Sequence, residues 1–309
     1  MSGSVILKSS PRSGQGRRVQ DFFELIKVHL SLYIGLSALA GHVLAQDHLG
    51  LNSLVLGFWV LVLAFGAGGL NNVQDREFDR RFQRTRHRVL ARKGMGVKKA
   101  LTLALVLAGM GIGGLYLSYT SIWPCVLGLL ALVCYNGLYT PIKKQGLWAL
   151  VPGVICGMIP PAIGWFAVPE ALACTDRTGL VILMACLGFW QLPHYMLVEL
   201  SQGQENGHSK GFGQVWTPPC LRCQVLIWSL VFSLGLVLFL ICGWVNSPML
   251  ADILLGLALV LPFVLAGFFC LPSLGRQAQN FSRRSLFFCF NIFNLSMLAY
   301  LSIIILDRI

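Results

Sequence analysis

Residues 71–90 read NNVQDREFDRRFQRTRHRVL, a dense block of charge that follows directly on some twenty apolar and small residues. Asn71, Asp75 and Asp79 recur every four residues. A helix through them sets all three along one face, about 40° apart per step. Arg84, Arg86 and Arg88 follow. Carboxylates stacked one turn apart suit a hard divalent cation, and guanidinium groups suit phosphate oxygens, so the block fits a magnesium diphosphate. A solvated juxtamembrane helix held by surface ion pairs has the same spacing. On these residues alone both readings stand.

Composition narrows the setting. Of 309 residues, 56% are hydrophobic and 12% charged, and mean hydropathy is +0.70. These values exclude an ordinary soluble domain and point to an all-α polytopic membrane protein. The net charge of +12 then reports topology and not a nucleic-acid partner, because Lys and Arg accumulate in cytoplasmic loops. Eight of the ten cysteines stand singly in apolar segments or at their edges, and Cys220 and Cys223 form a CxxC. A lone CxxC cannot complete a four-ligand zinc site, and a disulfide framework does not place its cysteines inside spans.

Nine apolar segments are each long enough to cross a bilayer core: 23–45, 51–73, 98–118, 121–140, 147–168, 178–200, 224–245, 249–272 and 285–306. With the amino terminus cytoplasmic and the chain alternating, 22 of the 24 Lys and Arg fall on the cytoplasmic side, leaving Arg177 and Arg308 outside. That bias sets the orientation. Residues 1–20 then form a disordered basic cytoplasmic tail, without the apolar core of a signal peptide. Residues 21–309 form one transmembrane domain of about nine helices in a cytoplasmic (inner) membrane.

Three stretches carry a family resemblance. Asn71, Asp75 and Asp79 fit an NxxxDxxxD pattern followed by RTRHRVL. Tyr139 opens YTPIKK, which runs on to GMIPPAIGWFAV at 157–168. FWQLPHY occupies 189–195. In order and separation these resemble the UbiA superfamily of intramembrane prenyltransferases, and PPAIGW with WQLPHY resembles its heme branch. The matched region covers about residues 23–215.

The resemblance implies a donor site for farnesyl diphosphate and an acceptor site for heme b, with heme O as product. It makes Asp75 and Asp79 ligands of Mg²⁺, with Asn71 assisting, and Arg84 and Arg88 a clamp on the phosphates. Lys143 and Lys144 are by default positive-inside anchors, and their diphosphate role rests on the match to the YTxxLKR-like segment. Pro160, Pro161 and Trp165 are expected to shape the cavity. His194, flanked by Trp190 and Tyr195, lies deep in an apolar span. Ionisable groups at such depth are costly and mark sites, and imidazole is a common heme-iron ligand. These three residues are the heme contact that the resemblance implies.

Departures from the family pattern are confined to two places. Where the heme branch carries Asp-Tyr after the sixth span, this chain has Glu205 and Asn206, with Lys210 close by; Glu205 is the expected third metal ligand. Val28 and His29 replace the Pro-Arg-like residues that follow Lys27. A quinone-ring or chlorin acceptor, a transporter with Asp75 and Asp79 as a cation site, and a non-catalytic heme-handling protein are the rival readings. A transporter predicts acids near mid-bilayer, whereas these stand at a span's cytoplasmic end. A downstream heme A synthase and the terminal oxidase are partners by the resemblance only.

Overall fold

The computed structural model describes residues 14–81, 85–143, 147–203, 217–270 and 283–309. Regular structure among them is helical throughout. A short amphipathic helix α1 (Gly14–Leu25) precedes the long apolar helices α2 (Val28–Gln46), α3 (Leu51–Asp79) and α4 (Val97–Ser118). Next, α5 (Trp123–Leu132) passes without a break into a π-helical segment (Val133–Tyr139) and the short α6 (Thr140–Ile142). Helix α7 (Leu150–Trp165) and the brief α8 (Pro169–Ala173) follow, then α9 (Thr178–Gly203), α10 (Pro218–Ile241), α11 (Pro248–Cys270) and α12 (Arg283–Leu306).

Eight helical stretches among the described residues are long and apolar enough to span a membrane. The fifth expected span, 147–168, is represented by α7, whose 16 residues reach about 24 Å, short of the roughly 30 Å hydrocarbon core. The first expected span, 23–45, is broken. Lys27 adopts a left-handed backbone (φ 51°, ψ 51°) between α1 and α2, so the membrane helix starts at Val28. The second span runs six residues further than the apolar pattern, to Asp79, and this places all three residues of the NxxxDxxxD pattern on one helix. Where residues 1–20 were expected to be a disordered tail, helix α1 already starts at Gly14.

Two apolar cores hold the bundle. One joins α9, α10, α11 and α12 around Phe232, Phe239, Phe293 and Tyr300, and takes in Ala40 and Leu44 of α2. The other joins α2, α3, α4, α5 and α7 around Leu56, Leu63, Leu115 and Ile163. Helices α2 and α7 belong to both, so they seam the halves together. Large apolar side chains such as Leu105, Leu234 and Phe263 face outward. In water that surface would be unfavourable, and lipid solvates it.

Close helix approach comes from small residues, because helices in lipid associate by packing and not by apolar burial. A Cβ on Gly66 of α3 would overlap the backbone of Ala108 on α4, whereas Gly109 has open space at its Cβ position. Gly66→Leu should therefore lower the thermal unfolding midpoint of the detergent-solubilised protein, by about 1–3 kcal/mol of overpacking. Gly109→Leu should leave it unchanged. Equal effects of the two substitutions would show that the α3–α4 contact does not stabilise the bundle as described.

Candidate functional site

The apolar helices converge at one end of the bundle on a cluster of charge. Asp75 and Asp79 are buried there, 2% and 4% exposed, near the end of α3. Carboxylates at such burial require partners, and each has a cation. Lys143 Nζ, just past α6, donates to Asp75 Oδ2. Arg88 Nη1 donates to both oxygens of Asp79, at 3.0 Å each. The two carboxylates expected to hold metal, and two of the cations expected to hold phosphate, thus meet in one place.

Asn71 does something different from its neighbours. Its Oδ1 accepts from Lys27 Nζ, and its Nδ2 donates to Thr140 Oγ1 at 2.7 Å. Both polar ends are occupied in holding the elbow between α1 and α2 and the start of α6. Lys27 was not among the expected site residues. It reaches the cluster only because its left-handed backbone turns the side chain inward, past Gly68, whose missing Cβ leaves room for Ile26 and Lys27. Burial, with the neighbouring Lys143 and Arg88 charges, pulls the Lys27 ammonium down to about 7. Burial likewise lowers Lys143, and Asp75 opposes that shift.

Residues 85–90, TRHRVL, fold back on α1 and α3. Thr85 Oγ1 donates to the Asp79 carbonyl at 2.9 Å. Val89 and Leu90 plug a small apolar cluster with Leu25, Val73 and Ala100. Glu24 Oε1 accepts from the Val89 backbone N–H at 3.0 Å, and Arg92 bridges to Asp21 and Glu24 of α1. This packing fixes Arg88 at Asp79. Arg86 is exposed. Arg84, Lys144 and Glu205 lie outside the described residues, as do Asn206 and Lys210.

From the charge cluster an aromatic series leads into the bundle. Lys143 Nζ stands 5.5 Å from the Tyr139 ring centroid. Tyr139 stacks on Tyr135 (5.7 Å, 14°) and meets Tyr195 of α9 at 6.0 Å. His194 lies 6.0 Å from Tyr195, 4.9 Å from Trp190 and 4.8 Å from Phe290. The three residues expected at the acceptor are thus contiguous with the charge cluster through Tyr139. A Cβ on Gly153 of α7 would crowd the Tyr195 hydroxyl and the Tyr139 ring, so a glycine there leaves the space this pair occupies. Pro160, Pro161 and Trp165 are buried in α7. Pro161 meets Gly41 of α2, where a Cβ would overlap its carbonyl, and Trp165 packs on Trp244.

A distant asparagine sets the His194 tautomer. Asn294 Nδ2 on α12 donates to Phe290 O at 2.8 Å, which fixes the amide so that Oδ1 faces the ring; His194 Nδ1 is 3.0 Å from that Oδ1. Nδ1 therefore carries a proton, and in the neutral imidazole it is Nε2 that keeps its lone pair. Trp190 is held by its own hydrogen bond to Phe293 O (3.1 Å) and by stacking on Tyr33. Asn294, like Lys27, stands outside the three motif stretches, whereas Thr140 lies within YTPIKK.

The donor chemistry suits a hard cation such as Mg²⁺, which takes one or two carboxylates and completes its shell with phosphate oxygens and water. No cluster of three or more His, Cys, Asp or Glu forms among the described residues.

Comparison with known proteins gives a consistent picture. The profile of the UbiA prenyltransferase family matches residues 34–298. The protoheme IX farnesyltransferase of Geobacter sulfurreducens is 35% identical over 175 residues, covering 57% of this chain and 63% of that protein. The protein of the same name from Blochmanniella floridana is 27% identical over 242 residues, covering 75% of this chain and 80% of that one. The chain thus spans somewhat less than two thirds of the length of the Geobacter relative. Among solved structures, a UbiA homologue from Aeropyrum pernix K1 superposes with a TM-score of 0.67 at 14% identity, covering 89% of this chain and 98% of that one. A UbiA homologue from Archaeoglobus fulgidus bound to GPP and Mg²⁺ gives 0.61 at 12% identity, covering 92% and 99%. These likenesses show a shared fold.

The pairing of Asp79 with Arg88 can be tested without any ligand. Arg88→Ala leaves Asp79 buried without its bidentate partner, and should destabilise the purified protein by about 3 kcal/mol. The double variant Arg88→Ala/Asp79→Asn removes the orphaned charge and should recover most of that loss in thermal unfolding. A double variant no more stable than the single one would contradict the pairing.

Proposed function

The chain belongs to the UbiA prenyltransferase family, and from that premise we propose that it transfers a farnesyl group from farnesyl diphosphate to a vinyl group of heme b. The product is heme O. Relatives named protoheme IX farnesyltransferase, 27–35% identical to this chain, support that substrate pair. One observation carries the reading. Two buried carboxylates on one helix face are each held by a cation with phosphate-binding chemistry, and an aromatic series leads from them to His194.

Asp75 and Asp79 would hold Mg²⁺ on the diphosphate, as their oxygen chemistry and the Archaeoglobus homologue bound to GPP and Mg²⁺ suggest. When bound, the ion neutralises the diphosphate and makes it a better leaving group. Lys143 and Arg88, released from the carboxylates, are then free to bind phosphate oxygens, and a diphosphate beside Lys27 would favour its charged form. Arg suits this exchange because its planar fork fits carboxylate and phosphate alike. Arg84, Lys144 and Glu205 are further members of this set by their place in the sequence.

The bond broken is the one between the allylic carbon of the farnesyl group and the diphosphate oxygen. The terminal vinyl carbon of heme b forms the new carbon–carbon bond as diphosphate leaves, water adds its oxygen to the adjacent carbon left positive, and the water proton is released to the diphosphate or solvent. The π faces of Tyr135 and Tyr139 are the proposed stabilisers of positive charge developing on the allylic carbon. The apolar surroundings keep other water from that carbon. His194, with Nε2 unprotonated, is the proposed contact to the heme, and Trp190 and Tyr195 form the wall on either side of it. The charge cluster is assigned to the cytoplasmic face of an inner membrane, on the strength of the uneven distribution of Lys and Arg. Residues 21–309 are taken as one domain.

Membranes containing the protein should convert heme b to heme O when given farnesyl diphosphate and Mg²⁺, and chelation should stop the conversion. Asp75→Ala should lower the rate by at least about 100-fold, read by chromatography of extracted hemes. Intact activity in Asp75→Ala would remove the donor assignment. His194→Ala should raise KM for heme b with little change in KM for farnesyl diphosphate, and the reverse pattern would place His194 on the donor side.

A further inference from the structure

The segment that delivers Tyr139 and Lys143 to the charge cluster is not an ordinary helix. Residues 133–139 form a π-helix, in which the Thr140 N–H reaches the Tyr135 carbonyl, five residues back. Helical geometry returns at once, since the Lys143 N–H bonds the Tyr139 carbonyl at 2.9 Å. A π-turn holds one extra residue, rotates everything after it, and is frequent at functional sites.

The sequence leaves one carbonyl of this turn without an internal donor. The N–H four residues after Asn136 belongs to Thr140 and is used by Tyr135. The residue five after it is Pro141, which has no N–H. The missing donor comes from another helix: Gln74 Nε2 of α3 donates to the Asn136 carbonyl at 2.9 Å. The contact is reciprocated, because Asn136 Nδ2 donates to Gln74 Oε1 at 3.2 Å and to the Ala67 carbonyl at 3.1 Å. Asn136 itself is buried, where an unsatisfied amide is costly. Gln74 immediately precedes Asp75 on α3, so the helix that carries the carboxylate also holds the turn that carries its cation.

We propose that the Gln74–Asn136 amide pair is a positioning device for the transfer reaction: it supplies the hydrogen bond that Pro141 cannot, and so sets the π-turn that brings Lys143 to Asp75 and Tyr139 to Tyr195. Neither amide touches the reacting atoms. The pair acts through the direction in which residues 139–143 leave the turn. The inference rests on the farnesyl-transfer reading for its assay, but not for its structural content.

The test is a set of variants assayed for heme O formation and for binding of inorganic diphosphate with Mg²⁺. Gln74→Leu removes the donor and should raise KM for farnesyl diphosphate about tenfold while leaving KM for heme b near the wild-type value. Diphosphate binding should weaken by the same factor. Pro141→Ala restores a backbone N–H to the turn. Alone it should be close to wild type; in the Gln74→Leu background it should recover most of the lost affinity. A general packing defect would instead move both KM values together and would not respond to Pro141→Ala. Gln74→Glu keeps the size of the side chain but points only acceptors at the carbonyl, and it should reproduce the Gln74→Leu phenotype if the leucine variant does not fold. Unchanged KM for farnesyl diphosphate in folded Gln74→Leu or Gln74→Glu, or failure of Pro141→Ala to rescue, overturns the proposal. If wild-type protein makes no heme O but the diphosphate-binding pattern holds, the positioning role stands and the acceptor reading falls.

Discussion

Two buried carboxylates at the end of an apolar bundle dominate the energetics of this protein. A carboxylate as enclosed as Asp75 or Asp79 cannot remain charged without a partner, and the chain supplies one to each from elsewhere in the sequence. Lys143 arrives from the far end of the π-turn, and Arg88 from a loop that α1 pins in place. The same cations are suited to phosphate. On the proposed reading, ligand-free and ligand-bound states call on one set of charges in two arrangements.

Much of the surrounding architecture follows from that need. Lys27 accepts a left-handed backbone, unusual for a non-glycine residue, and its ammonium is held by Asn71. Gly68 leaves space for this elbow, and Gly153 leaves space for Tyr139 and Tyr195. The aromatic series then joins the half of the bundle holding the charges to the half holding His194. Asn294, one hundred residues beyond His194, fixes its tautomer. The two apolar cores meanwhile share α2 and α7 as a seam.

The sequence discloses some of this and hides the rest for physical reasons. Hydropathy alone marks the spans, since lipid demands long apolar helices, and the four-residue spacing of Asn71, Asp75 and Asp79 is visible because α-helical periodicity is local. The break at Lys27 is not, because a lysine between apolar segments looks like a membrane anchor until its partner on α3 is known. The short α7 reads as a full span because apolar residues continue past Trp165 in the loop. The π-turn escapes any local pattern: it depends on a proline at 141 and a glutamine sixty-seven residues before it. Asn71 resembles a metal-site residue by motif, whereas its two hydrogen bonds make it a brace between Lys27 and Thr140.

The exchange of partners at Asp75 and Asp79 is open to direct measurement. Manganese, an oxygen-seeking substitute for magnesium, can be titrated into the purified protein with binding followed by electron paramagnetic resonance, with and without inorganic diphosphate. If Lys143 and Arg88 hold the carboxylates until phosphate draws them away, manganese should bind weakly alone and at least tenfold more tightly with diphosphate. Reciprocal tightening of diphosphate by manganese should match that factor. Equal affinity with and without diphosphate would contradict the account.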